Sequence, residues 1–170
     1  MKTWLLTTCF LLTVLTGIHS QNSIEIRFTE ESEVYLNDLK LDNTVTLSQV
    51  TDILGEPVLH KEYKTGKAMY KYPELGLAVY TVNDNLLFIG ANYNWDGDNH
   101  FPETQFTGQL MVGELEITSN TSPEELQNQS WIGLACPMPG MCLSKNEAKG
   151  VYSVTGFQEG KITQIGFEFH

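Results

Sequence analysis

Arginine is almost missing from this chain. Arg27 is the only one, and 10 Lys plus Arg stand against 21 Asp plus Glu, giving a formal net charge of -11. Phosphate backbones are gripped by concentrated Lys and Arg, so the deficit speaks against nucleic acid as a partner. It disfavours anionic membrane surfaces for the same reason. Nucleotide-cradling glycine loops are missing as well: neither Gly-x-Gly-x-x-Gly nor Gly-x-x-x-x-Gly-Lys-Ser/Thr occurs. No serine sits in a Gly-x-Ser-x-Gly elbow, so no local feature selects a nucleophile. His60, His100 and His170 form no His-x-x-x-His or Cys/His ligand pattern, and no metal or cofactor is expected. Beyond the first twenty residues no apolar run reaches the length that spans a bilayer.

The long apolar run that does exist lies at the start. Met1 and Lys2 precede the stretch Trp4 to Ile18, which gives way to His19-Ser20-Gln21-Asn22. A positive end, an apolar core of about fifteen residues and a polar exit are the parts of a cleaved export signal, and a spanning helix wants about twenty. Residues 1–20 are therefore expected to be a signal peptide cut after Ser20, leaving 21–170 as a single mature domain with no transmembrane segment. Cys9 lies inside the apolar core, without the small-residue setting of a lipid-attachment cysteine. Loss of Lys2 takes the formal charge from -11 to -12, a surplus of carboxylate that serves solubility and suits a basic partner. The expected location is periplasmic or secreted.

Cysteine is scarce, 3 in all. After cleavage Cys136 and Cys142 remain, in Cys136-Pro137-Met138-Pro139-Gly140-Met141-Cys142. Two prolines and a glycine turn the chain back on itself, so in an oxidising compartment these sulfurs are expected to form a disulfide. The spacing is not that of a thioredoxin-type pair, and two sulfurs are too few for a zinc or iron–sulfur site. The bond is expected to staple a small loop.

Strand signals dominate the remainder. Ile24 to Phe28 alternates apolar with charged residues, and Val34 to Leu41 reads as a hairpin about Asn37-Asp38. Thr46 caps a stretch in which Leu47, Val50, Ile53 and Leu54 recur at helical spacing until Gly55 and Pro57 stop it. Ala68 to Tyr72, Leu77 to Val82 and Leu86 to Tyr93 follow as antiparallel strands, separated by turn-formers. This order returns about 76 residues later. Val34 to Leu41 matches Leu110 to Ile117 in apolar and polar character, Thr46 is answered by Ser122, and Ile89-Gly90 is answered by Ile165-Gly166. The expected fold is α+β: one antiparallel, sheet-rich domain with two short helices, built as tandem pseudo-repeats of hairpin, helix and strands over about 34–93 and 110–169.

The richest polar cluster is Asn94-Trp95-Asp96-Gly97-Asp98-Asn99-His100. Asn94, Asp96 and Asp98 alternate as calcium ligands do, but the glycine precedes Asp98 instead of following it, and no Glu closes the loop. A solvated loop carrying one large aromatic among short polar groups is also a frequent contact composition, which makes Trp95, Asp96, Asp98 and His100 candidate binding residues. Tyr72 and Tyr80 are candidates for an aromatic sheet surface that grips a partner, against the plainer reading that they fill the core. Acidic pairs such as Glu30-Glu31 could imitate a glycosidase pair, but in a chain this acidic they are charge background. Asn120-Thr121-Ser122 and Asn128-Gln129-Ser130 satisfy the glycosylation acceptor pattern.

Thr46-Leu47-Ser48-Gln49-Val50-Thr51-Asp52-Ile53-Leu54-Gly55-Glu56-Pro57, with Tyr70-Lys71-Tyr72 and Leu86-Leu87-Phe88-Ile89 after it, resembles two kinds of small exported module. These are the outer-membrane assembly lipoproteins of the SmpA/OmlA kind and the tandem beta-lactamase inhibitory protein. In both, a short helix ending in a Leu-Gly-x-Pro corner leads into an antiparallel sheet, and the inhibitory protein carries the unit twice. The chain also looks like a group of secreted bacterial proteins with no assigned activity. The resemblance implies a non-catalytic protein that binds another exported or envelope protein through its sheet face and loops. The alternatives are an inhibitor or immunity protein against a secreted enzyme or toxin, and an extracytoplasmic hydrolase.

Overall fold

Local sequence sets each element in turn. The structure, a computed structural model, describes residues 23–146 and 148–170; the expected signal peptide and its cut after Ser20 lie outside the described residues. Strand β1 (Glu25–Phe28) is followed by the hairpin β2 (Val34–Leu36) and β3 (Leu39–Leu41), in which Leu36 faces Leu39 across the Asn37-Asp38 turn. Asn37 takes the left-handed conformation that such a tight turn requires, φ 51°. Helix α1 (Leu47–Leu54) starts at Thr46, whose hydroxyl accepts from the Gln49 N–H while the Gln49 side chain accepts from the Thr46 N–H. That reciprocal bonding satisfies two otherwise orphaned donors. At the other end Gly55 has φ 83°, a conformation a Cβ would penalise. Four antiparallel strands follow: β4 (Val58–Glu62), β5 (Lys67–Tyr72), β6 (Leu77–Val82) and β7 (Asn85–Asn92).

The series then repeats. A second hairpin, β8 (Gln109–Val112) and β9 (Leu115–Glu116), precedes α2 (Pro123–Gln127), where Ser122 and Glu125 form a capping box like that of Thr46 and Gln49. A single 3-10 turn (Ser130–Ile132) leads to β10 (Ala135–Met138), β11 (Met141–Asn146), β12 (Val151–Gln158) and β13 (Lys161–Phe169). The two sets of four strands join into one eight-stranded sheet of order β10-β11-β12-β13-β7-β6-β5-β4. At its centre β13 runs antiparallel to β7 and Gly166 lies opposite Gly90. Strand order is thus the same, read outward, on either side of that glycine pair. The hairpins form the smaller sheet, β3-β2-β1-β8-β9, with β1 inserted between them, antiparallel to β2 and parallel to β8.

A single core lies between the sheets. It takes in Ile26, Leu36, Leu110 and Val112 from the smaller sheet, Ile89, Ile165 and Phe167 from the larger, and Val50 and Leu126 from the helices. The Phe28 and Phe167 rings meet across it, centroids 5.0 Å apart. Residues 76 apart occupy matching places: Leu41 and Ile117, Val50 and Leu126, and Ile89 and Ile165 are all buried in this core. The halves diverge on the inner face of the strands, where Leu77 and Val79 are matched by the buried hydroxyls of Ser153 and Thr155. Cys136 and Cys142 are bonded, tying edge strand β10 to β11.

The paired glycines make room for a ring on the outer face of the sheet. A Cβ on Gly90 would come within 2.6 Å of Phe88 Cζ and 2.9 Å of a Phe101 ring carbon, and one on Gly166 would run into the same Phe88 ring. Phe88 therefore lies flat across the seam between the halves, and its neighbours are Ala78, Tyr80, Leu87 and Phe101.

Candidate functional site

The loop after β7 covers this outer aromatic cluster, and polar bonds fasten it both within itself and to the second repeat. Buried Asn92 donates from Nδ2 to the carbonyls of Thr104 (3.0 Å) and Glu103 (3.2 Å), holding the far end of the loop against the strand. Asn94 donates to the Ser119 and Ile162 carbonyls, both at 2.7 Å, so a residue that resembles a calcium ligand in the sequence spends its amide on the second repeat. Asp96 Oδ1 accepts from Gln164 Nε2 (2.9 Å) and from the Asp98 N–H (3.1 Å). Burial works against the Asp96 charge, but the Gln164 and Asp98 donors outweigh it and hold the carboxyl below its ordinary value of 3.8. Asp98 Oδ1 accepts from the His100 N–H at 2.9 Å and lies 2.7 Å from His100 Nδ1.

Trp95 rides on this frame. Its indole N–H donates to the Asp98 carbonyl at 3.2 Å, and the residue remains 43% exposed. It borders a shallow groove of about 340 Å³ that it shares with Asn94, Gln158, Glu159 and Lys161. Of the candidate binding residues, Trp95 therefore faces the β12–β13 turn and Asp96 is bonded to Gln164 of β13, while Asp98 and Tyr80 interact electrostatically on the first-repeat side of the loop.

The tyrosines separate by strand parity. Tyr80 is on the outer face, stacked on Phe88 at 4.7 Å, with Lys67 Nζ 5.2 Å from its ring centre. Partial burial raises its phenol pKa, with the Asp98 charge adding to the effect. Tyr72 is on the opposite face, 3% exposed and part of the shared core. Burial pushes its hydroxyl up to about 12, with the Thr51 hydroxyl acting in the opposite sense. The expectation of a surface tyrosine thus fails for Tyr72, because β5 points residues 68, 70 and 72 inward and Lys67, Met69 and Lys71 outward.

Among the described residues no group of three or more His, Cys, Asp or Glu side chains is placed to hold a metal ion. No described helix is long and apolar enough to cross a membrane. Sequence reasoning missed Phe88, Phe101 and the lysines of β4 and β5 as parts of one surface. The signal available was period two: Lys67, Met69 and Lys71 alternate with Ala68, Tyr70 and Tyr72.

The search of curated proteins and the search of solved structures both return no match. A family model described as a domain of unknown function (DUF7738) matches residues 25–127, from the first residue of β1 to the last of α2. That span covers more than half of the chain and takes in the smaller sheet, both helices, the first-repeat strands and the whole Trp95 loop. The chain belongs to the DUF7738 family.

Proposed function

We propose that this is a non-catalytic exported protein that binds another envelope or secreted protein, with the loop from Asn94 to Phe101 as its contact tip. The observation that carries this reading is an exposed tryptophan on a loop tied down at Asn94, Asp96 and Asp98. A large aromatic held in place before binding gives up little conformational entropy when it is buried, which is how such residues come to dominate interfaces. The nearby acids and histidine are engaged with one another and with Gln164, so their part is to brace Trp95. The Cys136–Cys142 bond supports a periplasmic or secreted location, since such bonds persist in oxidising compartments. The tandem order of hairpin, helix and strands, which resembles that of the beta-lactamase inhibitory protein, supports the alternative of an inhibitor or immunity protein against a secreted enzyme or toxin.

Capture of partners from envelope extract by immobilised protein, followed by affinity measurement on the recovered partner, tests the reading. Trp95→Ala is expected to weaken capture by more than about 1 kcal/mol, with smaller effects from Asp98→Asn and His100→Gln. Loss of a measurable turnover in the Asp98 and His100 variants, with capture intact, would show an enzyme instead.

A further inference from the structure

The two ends of the large sheet are equivalent in the repeat and opposite in character. Strand β10 ends the sheet on one side, and it carries Pro137, which has no N–H to donate, and a disulfide to its neighbour. Strand β4 ends the sheet on the other side with neither device, and all five of its residues are exposed. Val58 and Leu59 are 57% and 52% exposed, apolar side chains on a strand whose outer rim faces no other strand.

Charge gathers at this same edge. Lys61, Lys64, Lys67 and Lys71 fall within eleven consecutive positions of a chain with only 10 Lys plus Arg. Register pairs Val58 with Lys71 and Lys61 with Met69, which puts Lys61, Lys67 and Lys71 together on the outer face. Among the described residues none of these four lysines is within 4.0 Å of a carboxylate. Lys61 lies over the Tyr63 ring at 4.6 Å and Lys67 over Tyr80 at 5.2 Å. The Asp98 carboxylate beyond them is taken by His100. In a chain with an excess of acid, a run of cations left without internal counterions is an electrostatic feature directed outward.

Lysines and a bulge on an edge strand also guard against self-association. Here the β4 register shifts between Leu59 and Lys61, and an antiparallel copy of β4 would set a second Lys61, Lys67 and Lys71 on the same outer face, like charge beside like charge. The charges that exclude a second copy favour a strand of opposite sign. We propose that the free edge of β4 is a docking site for an extended acidic segment of a partner protein, which adds as a strand beside Val58–Glu62 and sets carboxylates beside Lys61 and on the same face as Lys67 and Lys71, one strand further in. Backbone pairing supplies the affinity in such a contact and the charges supply the choice of partner. The proposal gives the partner chemistry for the binding role above and rests on that role.

The probe is an end-blocked, fluorescein-labelled peptide, Thr-Glu-Val-Glu-Val-Glu-Thr, titrated into the intact protein at low salt. Saturable binding is expected, with slowed hydrogen exchange in residues 58–62. The Lys61→Glu, Lys71→Glu double variant is expected to raise Kd by about tenfold or more. The same variant is expected to bind the Glu→Lys version of the peptide, a rescue that an unfolded variant could not give. Methylation of alternate peptide nitrogens is expected to abolish binding, because it removes strand pairing and keeps the charge. Equal binding of the methylated peptide, or of dextran sulfate with no slowing at β4, would overturn the proposal in favour of a general polyanion surface. So would binding unchanged by the double variant, or absent altogether. Trp95→Ala is expected to leave peptide affinity unchanged while weakening the captured partner. A partner lost by Trp95→Ala and indifferent to the lysine variants would sink the edge site and leave the binding role standing.

Discussion

Gly90 and Gly166 shape the seam between the halves by what they lack, which makes space for Phe88. The ring lies across both α-carbons, so adding a single methyl at either position is an overpacking change at the seam. Gly166→Ala is expected to cost about 1–3 kcal/mol in denaturant unfolding. In a Phe88→Ala background the same substitution is expected to cost far less, since the clashing ring is gone. A cost equal in both backgrounds would place the strain elsewhere, the Ile89 carbonyl at 3.1 Å being the next neighbour. The sequence marks the two glycines as equivalent, since both follow an isoleucine at a spacing of 76, but it does not mark the ring that fills the space. Phe88 reaches the second repeat only because β7 and β13 pair, a contact between residues 78 apart that no local pattern announces. Tyr72 was ambiguous for a related reason: a tyrosine suits a core or a contact face, and parity decides between them only once the register is known.

Elements with a buried face were legible from alternation or helical spacing, and elements without one were not. The hairpin at Val34–Leu41, α1 and the strands β5, β6 and β7 all have a periodic apolar face, and all lie where the sequence puts them. Strand β4 has no such face, because Val58, Leu59, His60, Lys61 and Glu62 are all exposed, so its pairing with β5 leaves no trace in apolar period. The parallel insertion of β1 between the two hairpins is likewise a non-local choice. Strand β10 is equally exposed, and the disulfide reinforces its irregular pairing with β11. Replacing Cys136 and Cys142 with serine is expected to lower stability by about 2–3 kcal/mol, as the loop closed is short. Hydrogen exchange should quicken in residues 135–138 and stay slow in β12 and β13. Uniform quickening across the large sheet would mean that the bond holds the whole second repeat together.

At the scale of the whole molecule, the candidate site exists because the two repeats share one body. The Trp95 loop leaves the first repeat at β7, yet Asn94 is fastened to Ile162 and Asp96 to Gln164, both in β13 of the second. Tandem order also explains how a chain with one core can offer two unlike edges, since each repeat ends the sheet with its own outermost strand. Were the halves to fold and open independently, the loop would lose its anchors whenever β13 moved, and Trp95 would no longer be held in advance of binding. Native-state hydrogen exchange on the intact protein, followed peptide by peptide through increasing denaturant, tests this most directly. Amides of β7 and β13 are predicted to be among the slowest and to converge on a single opening free energy with α1, α2 and the 94–101 loop. Exchange of β10–β13 at a distinctly lower free energy, with β4–β7 still protected, would contradict it.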